Sequence, residues 1–380
     1  VGRMAHAPGL SRVRRLAVDT PILVGLVTGA LVLAHWSPSG PPDGPTGLAW
    51  TFWLIVAIVA AAMRAMTHAD HVAERLGEPM GTVVLTVSAI VIEVAAVCAV
   101  MLGSKGDPDI ARDTMFAVIM LILNLLLGIC MVVAGWRGSE REFNPQSSNA
   151  YLPLLITLAS ITLVLPRFTH STPGGWMSAP MELFVGTSSL MLYCIFLFMQ
   201  STRHRTFFAH HGLSEREAEP AHHEPPPLGR SCVLLVLALL AVIGMAEGLG
   251  GRTRDLMSAW GLPLPLGGIL IALLVLAPEG LAALGASKRG DLQRSINILL
   301  GSALATIGLT VPAIIGVRFA TGVTPQLGLE PPFIVLLVTT FFVSALSLAR
   351  GRVSTLQGIV HILLFLAWIV TILDEASAPA

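Results

Sequence analysis

Residues 79–102 read PMGTVVLTVSAIVIEVAAVCAVML, an apolar run interrupted by one charged side chain, Glu93. The run is long enough to cross the hydrocarbon of a bilayer, which takes about 20 helical residues. Glu93 lies far from either end of it. A carboxylate at that depth costs about 3 kcal/mol or more unless it is protonated, paired or wetted. Desolvation favours the neutral form of such an acid and an arriving cation favours the ionised form, so protons and cations compete for the same oxygens. The plainer reading is a protonated glutamate bonded to a neighbouring helix. A second run argues for the first. Pro79-Met80-Gly81 precedes Glu93, which comes twelve residues after the glycine, and Pro265-Leu266-Gly267 precedes Glu279 at the same spacing.

Working outward, 54% of the 380 residues are apolar and 12% are charged, about half the charge of a soluble domain. Hydropathy predicts eleven spans: roughly 20–36, 49–68, 79–102, 114–136, 150–166, 180–200, 231–249, 263–286, 293–318, 332–349 and 354–373. A polar, Glu-, His- and Pro-rich segment at 201–230 reads as a solvated linker. It divides the chain into a tail and first span (1–45), a five-span set (46–200) and a second five-span set (231–380). An odd number of spans per set makes the two sets run oppositely through the membrane, the plan of inverted-repeat transporters. The expected fold is therefore all-α and polytopic, with one extra N-terminal helix and two inverted five-helix repeats. Of the 23 Lys and Arg residues, six (Lys105, Arg112, Arg167, Arg252, Arg254 and Arg318) fall on one side of this topology and 17 on the other. The positive-inside rule then predicts a cytoplasmic N-terminus and an external C-terminus in a cell (inner) membrane. No cleavable signal sequence is evident, since Trp36-Ser37-Pro38 follows the first span.

Thr82 and Thr86 share the helical face of Glu93 and are expected to line a pathway with it. Pro278, directly before Glu279, is expected to break its helix and free backbone carbonyls, which are ligands for a hard cation. Asn124 is the strongly polar side chain of the fourth span, and either completes a cation site or glues helices together. Asn297, Ser302 and Thr306 in the ninth span are weaker candidates, because membrane Ser and Thr often bond their own backbone. His361 reads as a packing or hydrogen-bonding residue that also has the chemistry to relay protons. His68, Asp70, His71, Glu74 and Glu78 read equally as a cation-gathering approach or a solvated helix end. Glu182, Glu247, Asp374 and Glu375 are expected to face water. The four cysteines read as small packing residues.

Around these positions the chain resembles the calcium/proton exchangers of the cation/calcium exchanger superfamily, in particular the bacterial calcium/sodium:proton antiporter branch. The resemblance rests on Leu76-Gly77-Glu78-Pro79-Met80-Gly81-Thr82 through Glu93 and on Leu123-Asn124-Leu125. It also rests on Ala277-Pro278-Glu279-Gly280, Gln293-Arg294-Ser295-Ile296-Asn297 and the stretch from Gly301 to Pro312. It implies a dispensable first helix, alternating access around one central site, cation-binding roles for Glu93 and Glu279, and the family's first-repeat asparagine at Asn124. Eukaryotic members carry Gly-Asn-Ala-x-Glu in both repeats. Here the equivalents are Ala89-Ile90-Val91-Ile92-Glu93 and Val275-Leu276-Ala277-Pro278-Glu279. Fewer oxygen ligands leave room for Na⁺ or K⁺ beside Ca²⁺.

Zero formal net charge gives no general field for nucleic acid. The HExxH and GxSxG patterns of an intramembrane metal-dependent enzyme are absent from the sequence. The expected partners are the bilayer, protons and inorganic cations, with no cofactor beyond the transported ions, and an oligomer is left open. The expected activity is export of Ca²⁺, Na⁺ or K⁺ in exchange for H⁺. The competing readings are such an enzyme or a passive cation channel.

Overall fold

The computed structural model describes residues 8–36, 38, 40–77, 80, 84, 87–88, 91, 108–136, 141–201, 227–322 and 324–377. Glu78, Glu93, Thr82 and Thr86 lie outside the described residues, as does nearly all of the 201–230 segment.

The fold is an all-α polytopic membrane architecture. Its helices are α1 (Pro8–Leu33), α2 (Pro45–Leu76), α3 (Ile110–Met120), α4 (Leu127–Gly135), α5 (Pro145–Ala159) and α6 (Ala179–Ser201). They continue as α7 (Leu228–Ala259), α8 (Leu264–Val275), α9 (Ala277–Lys288), α10 (Leu292–Thr321), α11 (Pro331–Ala349) and α12 (Thr355–Ser377). A π turn at Leu121–Leu126 joins α3 to α4 in one span, and another at Ser160–Val164 extends α5. Among the described residues eight helical stretches are long and apolar enough to cross a membrane, and the bent pair α8–α9 makes a ninth. The apolar part of α1 is shorter, Asp19–Leu33. With α1 and the 79–102 run, these correspond to the eleven spans read from hydropathy. Helix ends differ from hydropathy ends for a simple reason. Apolarity marks the stretch in lipid, whereas backbone hydrogen bonding continues beyond it, as in α7, which starts at Leu228 and carries Arg252, Arg254 and Asp255 in its last turns.

Contacts between loops sort the connections onto two faces. On the first, β1 (Arg141–Glu142) pairs antiparallel with β2 (Arg352–Val353), and the Asn144 backbone N–H donates to Gln293 Oε1. On the second, Gln326 N donates to Pro108 O, Gly328 N to Gly175 O and Leu329 N to Leu163 O. Arg167 pairs with Glu330 there, and Arg318 with Glu182. These groupings follow the alternation read from the basic residues. Glu182 is a correction: it is buried against Arg318 rather than facing water. Asp374 and Glu375 are exposed as expected. The first helix of each five-span set shows the inversion. α2 runs from the second face to the first, and α7 runs back.

The buried apolar residues form two main bodies. The smaller is built from α1, α2 and α7 with one side of α8 (Ile22, Leu54, Ala238, Ile271), and the larger from α3 onward with the other side of α8 (Ala272, Leu276). Glycines let α1 sit close to α7. A Cβ on Gly29 would lie 3.4 Å from the Gly244 backbone, and one on Gly25 3.0 Å from Ala241 Cβ. At the first face one carboxylate ties these helices together. Asp19 Oδ1 lies 2.7 Å from Arg64 Nη2 and 3.1 Å from His68 Nε2, and Oδ2 lies 2.9 Å from Arg230 Nη2. His68 is therefore a buried structural partner, not part of a solvated helix end. Large apolar side chains such as Leu183, Phe342 and Leu363 point outward to lipid, as do Cys194 and Cys232, whereas Cys130 is buried.

Candidate cation site

The eighth predicted span is two helices, α8 and α9, bent by 59° at a short break. Pro278 in the first turn of α9 supplies the cause, because its ring nitrogen has no proton to give the Leu274 carbonyl. Glu279 follows it in that first turn. The positive end of a new helix dipole thus lies at an acid inside the membrane. Gly280 then allows close packing, since a Cβ there would lie 3.1 Å from Leu126 Cδ2 of the π turn. Glu279 is half-buried, and its Oε2 is fully enclosed without a hydrogen-bond partner among the described residues.

Two hydroxyl bonds fix the register around this acid. Ser287 Oγ donates to Cys130 O at 2.6 Å, and Ser295 Oγ donates to Ala283 O at 2.7 Å. α9 runs parallel to α4, so counting back from Ser287 and Cys130 brings Glu279 level with Ile122, within one turn of Asn124. α10 runs antiparallel to α9, so counting from Ala283 and Ser295 brings Glu279 level with Leu299, one turn before Ser302. Glu279 lies about 14 Å along α9 from Lys288, near the middle of a ~30 Å hydrocarbon layer. Glu279, Asn124 and Ser302 thus share one depth.

Asn124 sits in the π turn and is fully buried. A π turn widens the helix locally and is often retained at functional positions. Asn124 Nδ2 donates to Thr340 Oγ1 at 2.9 Å and toward Met120 Sδ at 3.4 Å. Its Oδ1 lies 3.3 Å from His361 Nδ1, and His361 Nε2 lies 3.3 Å from Ser347 Oγ. Of the two roles open to Asn124, interhelical bonding is thus directly visible, and His361 is a hydrogen-bonding residue. The carbonyl oxygen keeps a second acceptor position.

The ninth-span candidates divide. Thr306 Oγ1 donates to Ser302 O at 2.9 Å, the expected back-bonding; Ser302 stays within about one turn of the Glu279 level and Thr306 lies about two turns beyond it. Asn297 lies about 3 Å from the Leu299 level of Glu279, toward the first face, and accepts from Gln293 Nε2 at 3.0 Å. That bond joins it to the Gln293–Asn144 contact between loops. Thr340 and Ser347 were missed in the sequence reading. The stripe Thr340, Ser344, Ser347 along one face of α11 was the available signal. Asp19 was missed because it precedes the apolar run of α1.

A polytopic helical bundle with an enclosed acid at a broken mid-membrane helix defines a class, the secondary transporters built on discontinuous helices. Comparison with known proteins makes this specific: the model of the sodium/calcium exchanger protein family matches residues 46–202 and 230–373, and the chain belongs to that family. It is 39% identical to the putative ionic transporter y4hA of Sinorhizobium fredii, over 90% of this chain and 92% of the relative. It is 32% identical to the sodium-potassium/proton antiporter ChaA of Escherichia coli, over 92% of this chain and 95% of that one. Its fold is similar to the crystal structure of the H⁺/Ca²⁺ exchanger CAX, with a TM-score of 0.66 at 17% identity, covering 94% of this chain and 88% of the other.

Proposed function

We propose that this protein is a cation/proton antiporter that expels Ca²⁺, Na⁺ or K⁺ from the cytoplasm and admits protons, by alternating access around Glu279 and Glu93. The observation that carries the reading is the enclosed, unpartnered Oε2 of Glu279 at the Pro278 break. Enclosure disfavours a bare carboxylate, whereas the positive end of α9 and an incoming cation both favour one. One group with two such occupants links their movements. Asn124, Asn297 and Ser302 offer further neutral oxygen ligands within about one turn of that depth, Thr306 lies about a turn farther along α10, and Thr82 and Thr86 line the approach to Glu93. Two carboxylates releasing two protons would balance one Ca²⁺, and one release would balance Na⁺ or K⁺. The relative named as a sodium-potassium/proton antiporter supports including the monovalent ions.

The excess of basic residues on the first face puts that face, the N-terminus and the 201–230 linker in the cytoplasm of a cell (inner) membrane, with the C-terminus outside. Residues 46–200 and 231–380 act as the two repeats that rock against each other. The test is a pH-sensitive dye in everted vesicles, with Ca²⁺, Na⁺ and K⁺ added in parallel across a pH series. Addition of at least one cation should release trapped protons, and Glu279→Gln or Glu93→Gln should abolish the signal with the protein still inserted. Cation flux down its gradient with no proton movement would favour a channel and end this reading.

A further inference from the structure

The sequence gives His361 no stated task in exchange, yet the structure gives its ring a defined position. We infer that His361 is a positioning residue for Asn124, holding the amide so that its oxygen rather than its nitrogen is presented to the cation; this rests on the antiport reading above. Both side chains are fully buried. Because Nδ1 faces a carbonyl oxygen, it carries the ring proton and donates to Asn124 Oδ1, leaving Nε2 to accept from the Ser347 hydroxyl. Its side-chain partners, Asn124 and Ser347, are satisfied by a neutral ring, and neither is a carboxylate that would compensate an added proton.

The fold is built to bring this ring here. A Cβ on Gly358 would lie 2.7 Å from Gly128 O, so α12 and α4 meet backbone to backbone. One turn along α12 from Gly358 is His361, and one turn back from Gly128 is Asn124, which puts each on the contacting face. The other end of the amide is bound less selectively. Thr340 Oγ1 can accept from an NH₂ group or donate to a carbonyl, so it does not by itself decide which way the amide points. His361 Nδ1–H accepts nothing and therefore does decide. Without that donor the amide is free to turn by half a revolution, offering its NH₂ where the oxygen had been, and an N–H does not bind a cation.

The experiment measures the cation concentration giving half-maximal exchange, together with the pH profile, in vesicles carrying wild type, His361→Leu, His361→Gln, Ser347→Ala, Asn124→Ala and the double variant His361→Leu/Asn124→Ala. His361→Leu should raise the half-maximal concentration roughly tenfold, the effect expected when the partner of a ligand is removed. The midpoint of the pH profile should not move. His361→Gln, which keeps a donor and an acceptor, should recover much of the loss, and Ser347→Ala should give a smaller shift in the same direction. The double variant should be no worse than Asn124→Ala alone. An unchanged half-maximal concentration in His361→Leu beside an active wild type overturns the inference. A displaced pH midpoint also overturns it, because the ring would then be carrying protons. So does full additivity in the double variant. If His361→Leu fails to insert, the Ser347→Ala and His361→Gln shifts decide by the same criteria. A wild type without cation-evoked proton movement instead overturns the antiport reading on which all of this stands.

Discussion

Two acids inside this molecule meet opposite fates. Asp19, at the first face, has both carboxylate oxygens engaged by Arg64, His68 and Arg230, which come from the two helices packed on α1. Glu279, at mid-depth, has an enclosed oxygen with no partner. A buried charge kept for structure is surrounded by groups that neutralise it, since a missing partner would cost several kcal/mol. An acid kept for exchange must leave room for its occupant. Under the antiport proposal, the contrast is that between a fastening and a binding site.

Substitutions test that separation. The largest effect should come from Glu279→Gln, which keeps the shape and removes the charge. Losing about 3 kcal/mol of charged ligation corresponds to a fall of about 100-fold or more in proton-coupled cation flux, read with a pH dye in vesicles. Substantial exchange in that variant would place the chemistry elsewhere. Pro278→Ala restores an N–H to the break, so α8 and α9 should straighten. Flux should fall by about tenfold as the acid loses its alignment, with protein yield maintained.

Asp19→Asn should do the reverse. It leaves Arg64 and Arg230 without their counter-charge, lowering stability by about 2 kcal/mol, seen as a lower melting temperature in detergent. Exchange per inserted molecule at low temperature should stay near wild type. If Asp19→Asn blocked exchange while leaving the melting temperature alone, the division between the two acids would collapse. Ser287→Ala, which removes a buried hydroxyl bond to Cys130 O, should cost about 1 kcal/mol and shift the register slightly, with a small loss of affinity. Least of all, Glu142→Gln breaks an exposed pair with Arg352 beside the β1–β2 contact. Its effect on the melting temperature should be at the limit of measurement.

Much of this was readable before any coordinates. The spans and the all-α membrane fold follow from apolar runs and alternating basic residues, and a matched Pro-x-Gly spacing singles out Glu279 as a candidate. These signals are legible because lipid imposes a local rule: each crossing segment must be apolar over a fixed length and satisfy its own backbone. Pro278 was legible for the same reason, as a missing donor acts on its own helix. The role of Asn297 was less so. Its residue type suits a ligand, but its bond to Gln293, which leads on to the loop at Asn144, depends on tertiary contacts. His68 and Glu182 lie near span ends, where a wet surrounding is expected, and each is instead closed in by an oppositely charged partner from another helix, Asp19 for His68 and Arg318 for Glu182.

The amino-acid order alone determined that the chain lives in a membrane, how it alternates across it, and which acid interrupts a broken helix. It could not determine who meets whom. Asp19 and Arg230 are 211 residues apart in the chain, and Asn124 and His361 are 237 apart. Such encounters arise when small residues at Gly29 and Gly244, or at Gly128 and Gly358, let distant helices touch. Close packing between helices depends on the complementary surfaces of both partners, and a linear pattern describes only one surface at a time.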